Sequence, residues 1–209
     1  TGIANLNFNY ASDDSTLTID NGLNNSGNLN FTLTTTKNIH INSIDTGEGS
    51  VYLESFDGHI VLGDESLASN IFNVGSLRLL AGVNSVNEDV VANITMAGGA
   101  KVISANNVDM RATGDIALEN FDIDSASIDS REGHIALNGL IKLESSGSFF
   151  ASQGKITMAS AAEIEAQRAV SFQARSDLGI STIRSHNSSI DLTSFQGTIN
   201  EVVDNEQAN

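Results

Sequence analysis

The sequence predicts an all-β chain wound into a parallel β-helix of about ten coils. Three observations predict it. The phrase Gly114-Asp115-Ile116-Ala117-Leu118 returns as Gly133-His134-Ile135-Ala136-Leu137 and as Gly154-Lys155-Ile156-Thr157-Met158. A period of about twenty residues marks stacked repeats that cover one another. Apolar and polar residues alternate within each phrase, in runs too short for a helix with a buried face. Proline, which cannot donate a ladder hydrogen bond, is absent from all 209 residues.

Each repeat holds three short strands. Ile116 and Leu118 fall on one side of the first, with Asp115, Ala117 and Glu119 on the other. Further apolar positions follow each phrase: Phe121, Ile123 and Ile128, then Leu140, Ile141, Leu143, Phe149 and Phe150, then Ala162, Ile164, Val170 and Phe172. Ser, Asn, Asp and Gly separate them as turns. Stacked coils place Ile116, Ile135 and Ile156 in one internal column, and Leu118, Leu137 and Met158 in the next, about 4.8 Å apart. The alternative is an antiparallel meander. It needs hairpin turns, and Asn21-Gly22, Asp57-Gly58 and Asn138-Gly139 are of that type. They recur at no fixed phase.

Residues 1–209 read as one domain. Residues 1–30 read as first coils or as an end strand that pairs with a neighbouring molecule. There Ile3, Leu6, Phe8 and Tyr10 alternate loosely, Leu17 and Ile19 more firmly. From Gly27 the pattern clears, through Leu29, Phe31 and Leu33, Ile39 and Ile41 about His40, and Val51, Leu53, Ile60 and Leu62. Gly63 to Gly99 is least regular, with Asn84 to Asp89 as a protruding loop. Ala100 to Ile199 is the tightest stretch, and 204–209 form a polar tail. About ten coils make a rod on the order of 50 Å long.

Composition narrows the function. The chain is 40% hydrophobic and 5% aromatic, which suits a thin, regular interior. It has no cysteine, so packing and ladder hydrogen bonds must hold it. A formal charge of −16 argues against nucleic acid and against an anionic membrane surface. No apolar run is long enough to span a bilayer, so membrane insertion is not expected. No charged-then-apolar leader opens at Thr1, so a leader is absent or already removed.

The Gly-x-Ile-x-Leu phrase resembles the repeats of filamentous-haemagglutinin-type exoproteins, bacterial adhesins exported by two-partner secretion. The resemblance runs from Gly27 to Ile199 and is clearest at Gly114, Gly133 and Gly154. It implies a right-handed β-helix shaft, secretion to the cell surface, and a role in adhesion, biofilm or toxin display. The amino-terminal secretion module of such proteins is not found. The resemblance therefore implies a shaft fragment, a processed subunit or another β-helix.

Chemistry is sparse. Asp115, His134 and Lys155 hold the same outward position in three successive phrases. They read as an acid/base constellation or as a mixed-charge ladder, and the ladder is the expectation because no second carboxylate joins Asp115. Asp122, Asp124 and Asp129 offer oxygen ligands for calcium or serve as solvated turn groups. The Gly-Gly-x-Gly-x-Asp pattern of calcium-binding β-rolls is missing. Asp13-Asp14 and Glu88-Asp89 are weaker pairs of the same kind. His40, His59, His134 and His186 are dispersed, without cysteine partners. No catalytic, cofactor or metal residue is assigned, and the chain is not expected to be an enzyme.

The leading expectation is an extracellular structural or adhesive protein, the shaft of an adhesin or a filament subunit. Self-association through end coils or contact with other cell-surface components would be its partnership. The alternative is a polysaccharide-acting lyase or hydrolase, for which the absence of Trp provides poorly. An ice-binding Thr array, hinted at by Thr32, Thr34, Thr35 and Thr36, does not recur each turn.

Overall fold

Residues that share a phase in the sequence share a column in space. A computed structural model describes residues 4–10, 16–19, 23–24, 28–64 and 70–202. Among these there is no helix, and strands one turn apart pair in parallel. The meander is thereby excluded. Asp57-Gly58 and Asn138-Gly139 lie at corners between ladders rather than in hairpins, and Asn21-Gly22 lies outside the described residues.

Three ladders run the length of a β-solenoid. Ladder I stacks Leu17–Ile19, Ile39–Ile41, Ile60–Leu62, Ile94–Met96, Ile116–Leu118, Ile135–Leu137, Ile156–Met158, Leu178–Ile180 and Ile199–Glu201. Ladder II follows in each turn, through strands such as Ile71–Val74, Leu140–Leu143, Glu163–Ala166 and Thr182–Ser185. Ladder III closes the turn, through Ala4–Tyr10, Leu29–Thr35, Ser50–Ser55, Ser76–Ala81, Gly147–Ala151, Val170–Ala174 and Ile190–Ser194. Lys101–Ala112 and Asn120–Ser130 are long strands that serve both ladder II and ladder III, with a register shift between Ser104 and Asn107.

The solenoid has about eight turns, not the ten a uniform twenty-residue period gives. Most turns take 19 to 22 residues. One takes 34, between the register partners Ile60 and Ile94. Its extra length lies at both ends of its path. One part is the connection from Leu62 to Ile71, of which 65–69 lie outside the described residues; the other is the 82–93 connection from Ala81 to Ile94. The latter contains the loop expected at Asn84 to Asp89, where Val86 is fully exposed.

The expected internal columns form. Ile116 pairs with Ile135, and Ile135 with Ile156; Leu118, Leu137 and Met158 follow the same register. All six are buried. Burying each such side chain contributes about 1.5–3 kcal/mol, an upper estimate because the unfolded chain already hides some surface. Phe149 stacks on Phe172 at 4.8 Å between ring centroids, nearly parallel. Where ladder III turns towards ladder I, each rung from Thr35 onward carries a small residue: Thr35, Ser55, Ala81, Ala112, Ser130, Ala151, Ala174 and Ser194. Ser55 shows why a hydroxyl suits the corner. Its Oγ donates to the Lys37 carbonyl at 2.7 Å and accepts the Gly58 N–H at 2.8 Å.

Candidate functional site

The residue before each ladder I strand builds an outward column of coil-to-coil hydrogen bonds. Asn38 Oδ1 accepts the His59 N–H at 2.8 Å. His59 Nδ1 accepts the Asn93 N–H at 2.9 Å, and Asn93 Oδ1 accepts the Asp115 N–H at 2.8 Å. Asp115 Oδ1 accepts the His134 N–H at 2.7 Å, and His134 Nδ1 accepts the Lys155 N–H at 3.0 Å. Lysine has no acceptor, so the series stops there. It resumes at Asp177, whose Oδ1 accepts the Thr198 N–H at 2.8 Å. That bond and a second from the Thr198 hydroxyl hold the Asp177 carboxyl below the usual aspartate range.

Asp115, His134 and Lys155 therefore stand in one column, as expected, but their link is not charge pairing. It is side chain to main chain. This fixes the tautomer of His59 and His134, with Nδ1 bare and the proton on Nε2. Neither ring nitrogen of His134 is then free to act as a base.

The same geometry explains the glycine of the repeat phrase. A Cβ at Gly58, Gly114, Gly133, Gly154 or Gly197 would meet the acceptor side chain of Asn38, Asn93, Asp115, His134 or Asp177 at 2.1–2.7 Å. Ser176, which follows Lys155 by one turn, faces no such acceptor and needs no glycine. Ala92, one turn after His59, is the exception, and it enters from the long 82–93 connection.

The alternating charge column lies on ladder II instead. Asp122, Lys142, Glu165 and Arg184 are successive register partners. Lys101 pairs with Asp122 at 3.2 Å, and Arg184 pairs with Glu163 and, at 3.7 Å, with Glu165. These partly exposed pairs contribute about 0–1 kcal/mol each.

A denser cluster occupies the outer face of ladder III. Tyr52 donates to Glu54 at 2.7 Å, and Asn84 of the 82–93 connection donates to the other Glu54 oxygen at 2.6 Å. The Tyr52 hydroxyl is pushed up to about 12, first by burial and then by Glu54. Arg78 lies 5.8 Å from the Tyr52 ring centroid, and Arg78 and Arg111 grip Asp109 at 3.4 and 3.0 Å. Asp129 is the register partner of Arg111 on the next rung. Burial raises its carboxyl, against the opposing pull of Arg111 and Arg131, and one of its oxygens is buried without a hydrogen-bond partner. The negative charge of Asp109 adds a smaller push in the same direction as burial.

Asp122, Asp124 and Asp129 are not brought together. Asp122 faces out from ladder II, Asp129 from ladder III, and Asp124 lies between the two halves of the strand Asn120–Ser130. Glu88 and Asp89 lie in the exposed 82–93 connection. Asp13 and Asp14 fall outside the described residues, among which no three His, Asp or Glu side chains gather as metal ligands. His186 is exposed. His40 Nε2 donates to the Gly63 carbonyl at 2.8 Å.

Two adjoining depressions of about 390 and 310 Å³ cross the outer face of ladder I at the level of His40. They share His40, Val61 and Thr95. The first is walled by Asn38, His59 and Asn93, the second by Gly63 and Asp64. Sequence reasoning missed both this groove and the ladder III cluster. The one signal for either was the lapse in regularity after Gly63.

Comparisons with protein-family models, with curated proteins and with solved structures find no match.

Proposed function

We propose that this chain is part of an extracellular structural or adhesive rod, a right-handed shaft of the kind its repeat phrase resembles. The observation that carries the reading is the coil-to-coil column from Asn38 to Lys155, which locks successive turns from outside while the apolar columns lock them from within. Such double fastening favours stiffness and slow proteolysis over the mobility that substrate turnover commonly needs. Labelling of intact cells by an antibody to the chain, together with rods of about 40 Å in electron micrographs, is the expected result. A chain confined to the cell interior would overturn it.

A shaft is favoured over an end-to-end filament. Among the described residues, Ile190 and Ile199 are partly uncovered on the last rungs and Phe8 on the first, and such apolar surface favours a further layer. Glu201, however, stands over Ile180 in the register of ladder I. A second copy stacked there would have to desolvate its carboxylate. Sedimentation at high concentration should show no polymer, and filaments would reverse the preference.

The second reading, an enzyme acting on polysaccharide, draws on the raised carboxyl of Asp129, whose register partner is Arg111. It requires polysaccharide cleavage that Asp129→Asn abolishes.

A further inference from the structure

We propose that the groove across ladder I at the His40 level binds a neutral saccharide chain. The inference stands apart from the shaft reading, since a spacer needs no groove.

The argument begins with shape. Further along, the outward positions of ladder I are Ala117, Ala136, Thr157 and Gly179, a flat strip of small groups. The groove replaces that strip where the 82–93 connection enters the ladder at Asn93. Extra chain at the border of a strip is how a regular scaffold acquires a recognition surface. The two volumes lie within the range of small-ligand sites, about 300–1,000 Å³.

The chemistry then narrows the ligand. Coil-to-coil bonds have already committed one end of each polar side chain and so fix what the other end offers. Asn38 and Asn93 use their Oδ1 atoms as acceptors, which leaves their Nδ2 amides as donors towards the groove. His59 uses Nδ1 as an acceptor, so its Nε2–H is a donor. His40 gives its Nε2–H to Gly63, so its Nδ1 is an acceptor. The exposed Thr95 hydroxyl does either. Val61 and the imidazole faces supply an apolar floor. This is a rigid mosaic of donors, acceptors and small apolar patches, which a row of sugar hydroxyls and C–H faces complements.

Charge excludes the competitors. Among the described residues, no ionised side chain lines the first depression and Asp64 alone lines the second. An anionic ligand would meet no cation and a chain of net charge −16. A transition metal would find a single free ring lone pair, on His40, because that of His59 is already used.

The test is a titration followed by ¹H–¹⁵N spectra, with tetramers of β-1,4-glucose, β-1,3-glucose, α-1,4-glucose and N-acetylglucosamine. A galacturonate tetramer, a neutral octapeptide and Zn²⁺ serve as controls. One of the neutral sugars should saturably shift the Asn38 and Asn93 side-chain amides and the Thr95 amide by about 10 mM, a weak affinity typical of a single short ligand. Thr95→Arg, an outward and exposed change, should weaken that binding by about tenfold or more and leave the melting temperature unchanged. The proposal is overturned if no neutral sugar shifts these signals, if a control does so in their place, or if Thr95→Arg binds as well as the parent.

Discussion

His134 Nδ1 accepts the main-chain N–H of Lys155 at 3.0 Å, one turn further along the chain. The histidine is there as a neutral hydrogen-bond acceptor. Asn fills the same office at 38 and 93. His134→Asn should therefore fold with near-parental stability, whereas His134→Phe leaves the N–H to water. The two variants should differ by about 1 kcal/mol in urea unfolding. Equal stability would mean that the column contributes nothing.

Gly154 tests the reason for the repeat glycine. An added Cβ would sit 1.9 Å from the Gly133 carbonyl oxygen and 2.4 Å from His134 Nδ1. Backbone cannot yield as a flexible side chain can. Gly154→Ala should cost about 2 kcal/mol or more. Gly98→Ala, where the new atom meets nothing within 4 Å, should stay within about 0.5 kcal/mol. Thermal unfolding of the two variants makes the comparison.

Lys155 and Ser176 mark the one interruption, and they should be coupled. Lys155→Asn alone supplies an acceptor whose path Ser176 obstructs. Ser176→Gly alone opens the path with nothing to fill it and loses about 0.5–1 kcal/mol to backbone freedom. The double variant should carry the column through to Asp177. A favourable coupling of about 0.5–1.5 kcal/mol is expected from a double-mutant cycle, and strict additivity would refute the link.

Two aspartates should give opposite pH responses. Asp177 has a lowered folded-state pKa, so its contribution is present above the ordinary aspartate value, about 3.9. It is lost as pH falls through the folded value. Asp129 has a raised one, so its favourable contribution is complete below that ordinary value and is lost as pH rises through the folded value. At neutral pH the Asp129 charge is a burden. Asp129→Asn should raise the melting temperature near pH 7 and lose that advantage near about pH 3. An Asp177→Ala variant should be less stable near pH 7, with the deficit closing in acid.

Much of the fold was legible because its cause is local. The alternation about Ile116, Ile135 and Ile156 is written in each phrase, and stacking follows from the period. The number of turns was not legible, since a period read from three regular phrases says nothing of a 34-residue turn elsewhere. Placing Asp115, His134 and Lys155 in one column succeeded for the same periodic reason. The coil-to-coil bonds of that column were not legible, because the acceptors of Asp115 and His134 find main-chain N–H groups that no sequence pattern displays. The true charge alternation, Asp122 to Arg184, was hidden because ladder II has no fixed phrase to align it. The groups at the ladder III cluster and the His40 groove come from turns far apart in the chain, and register alone unites them.

The hydrogen bonds that join one turn to the next lie along the long axis of the rod. Tension applied to its two ends therefore opens them one rung at a time, like cord leaving a spool, rather than all together in shear. Each ordinary turn would pay out roughly 70 Å of extended backbone. The turn that begins at Ile60 would release roughly 115 Å, so the longest slip under force is built in where the groove lies.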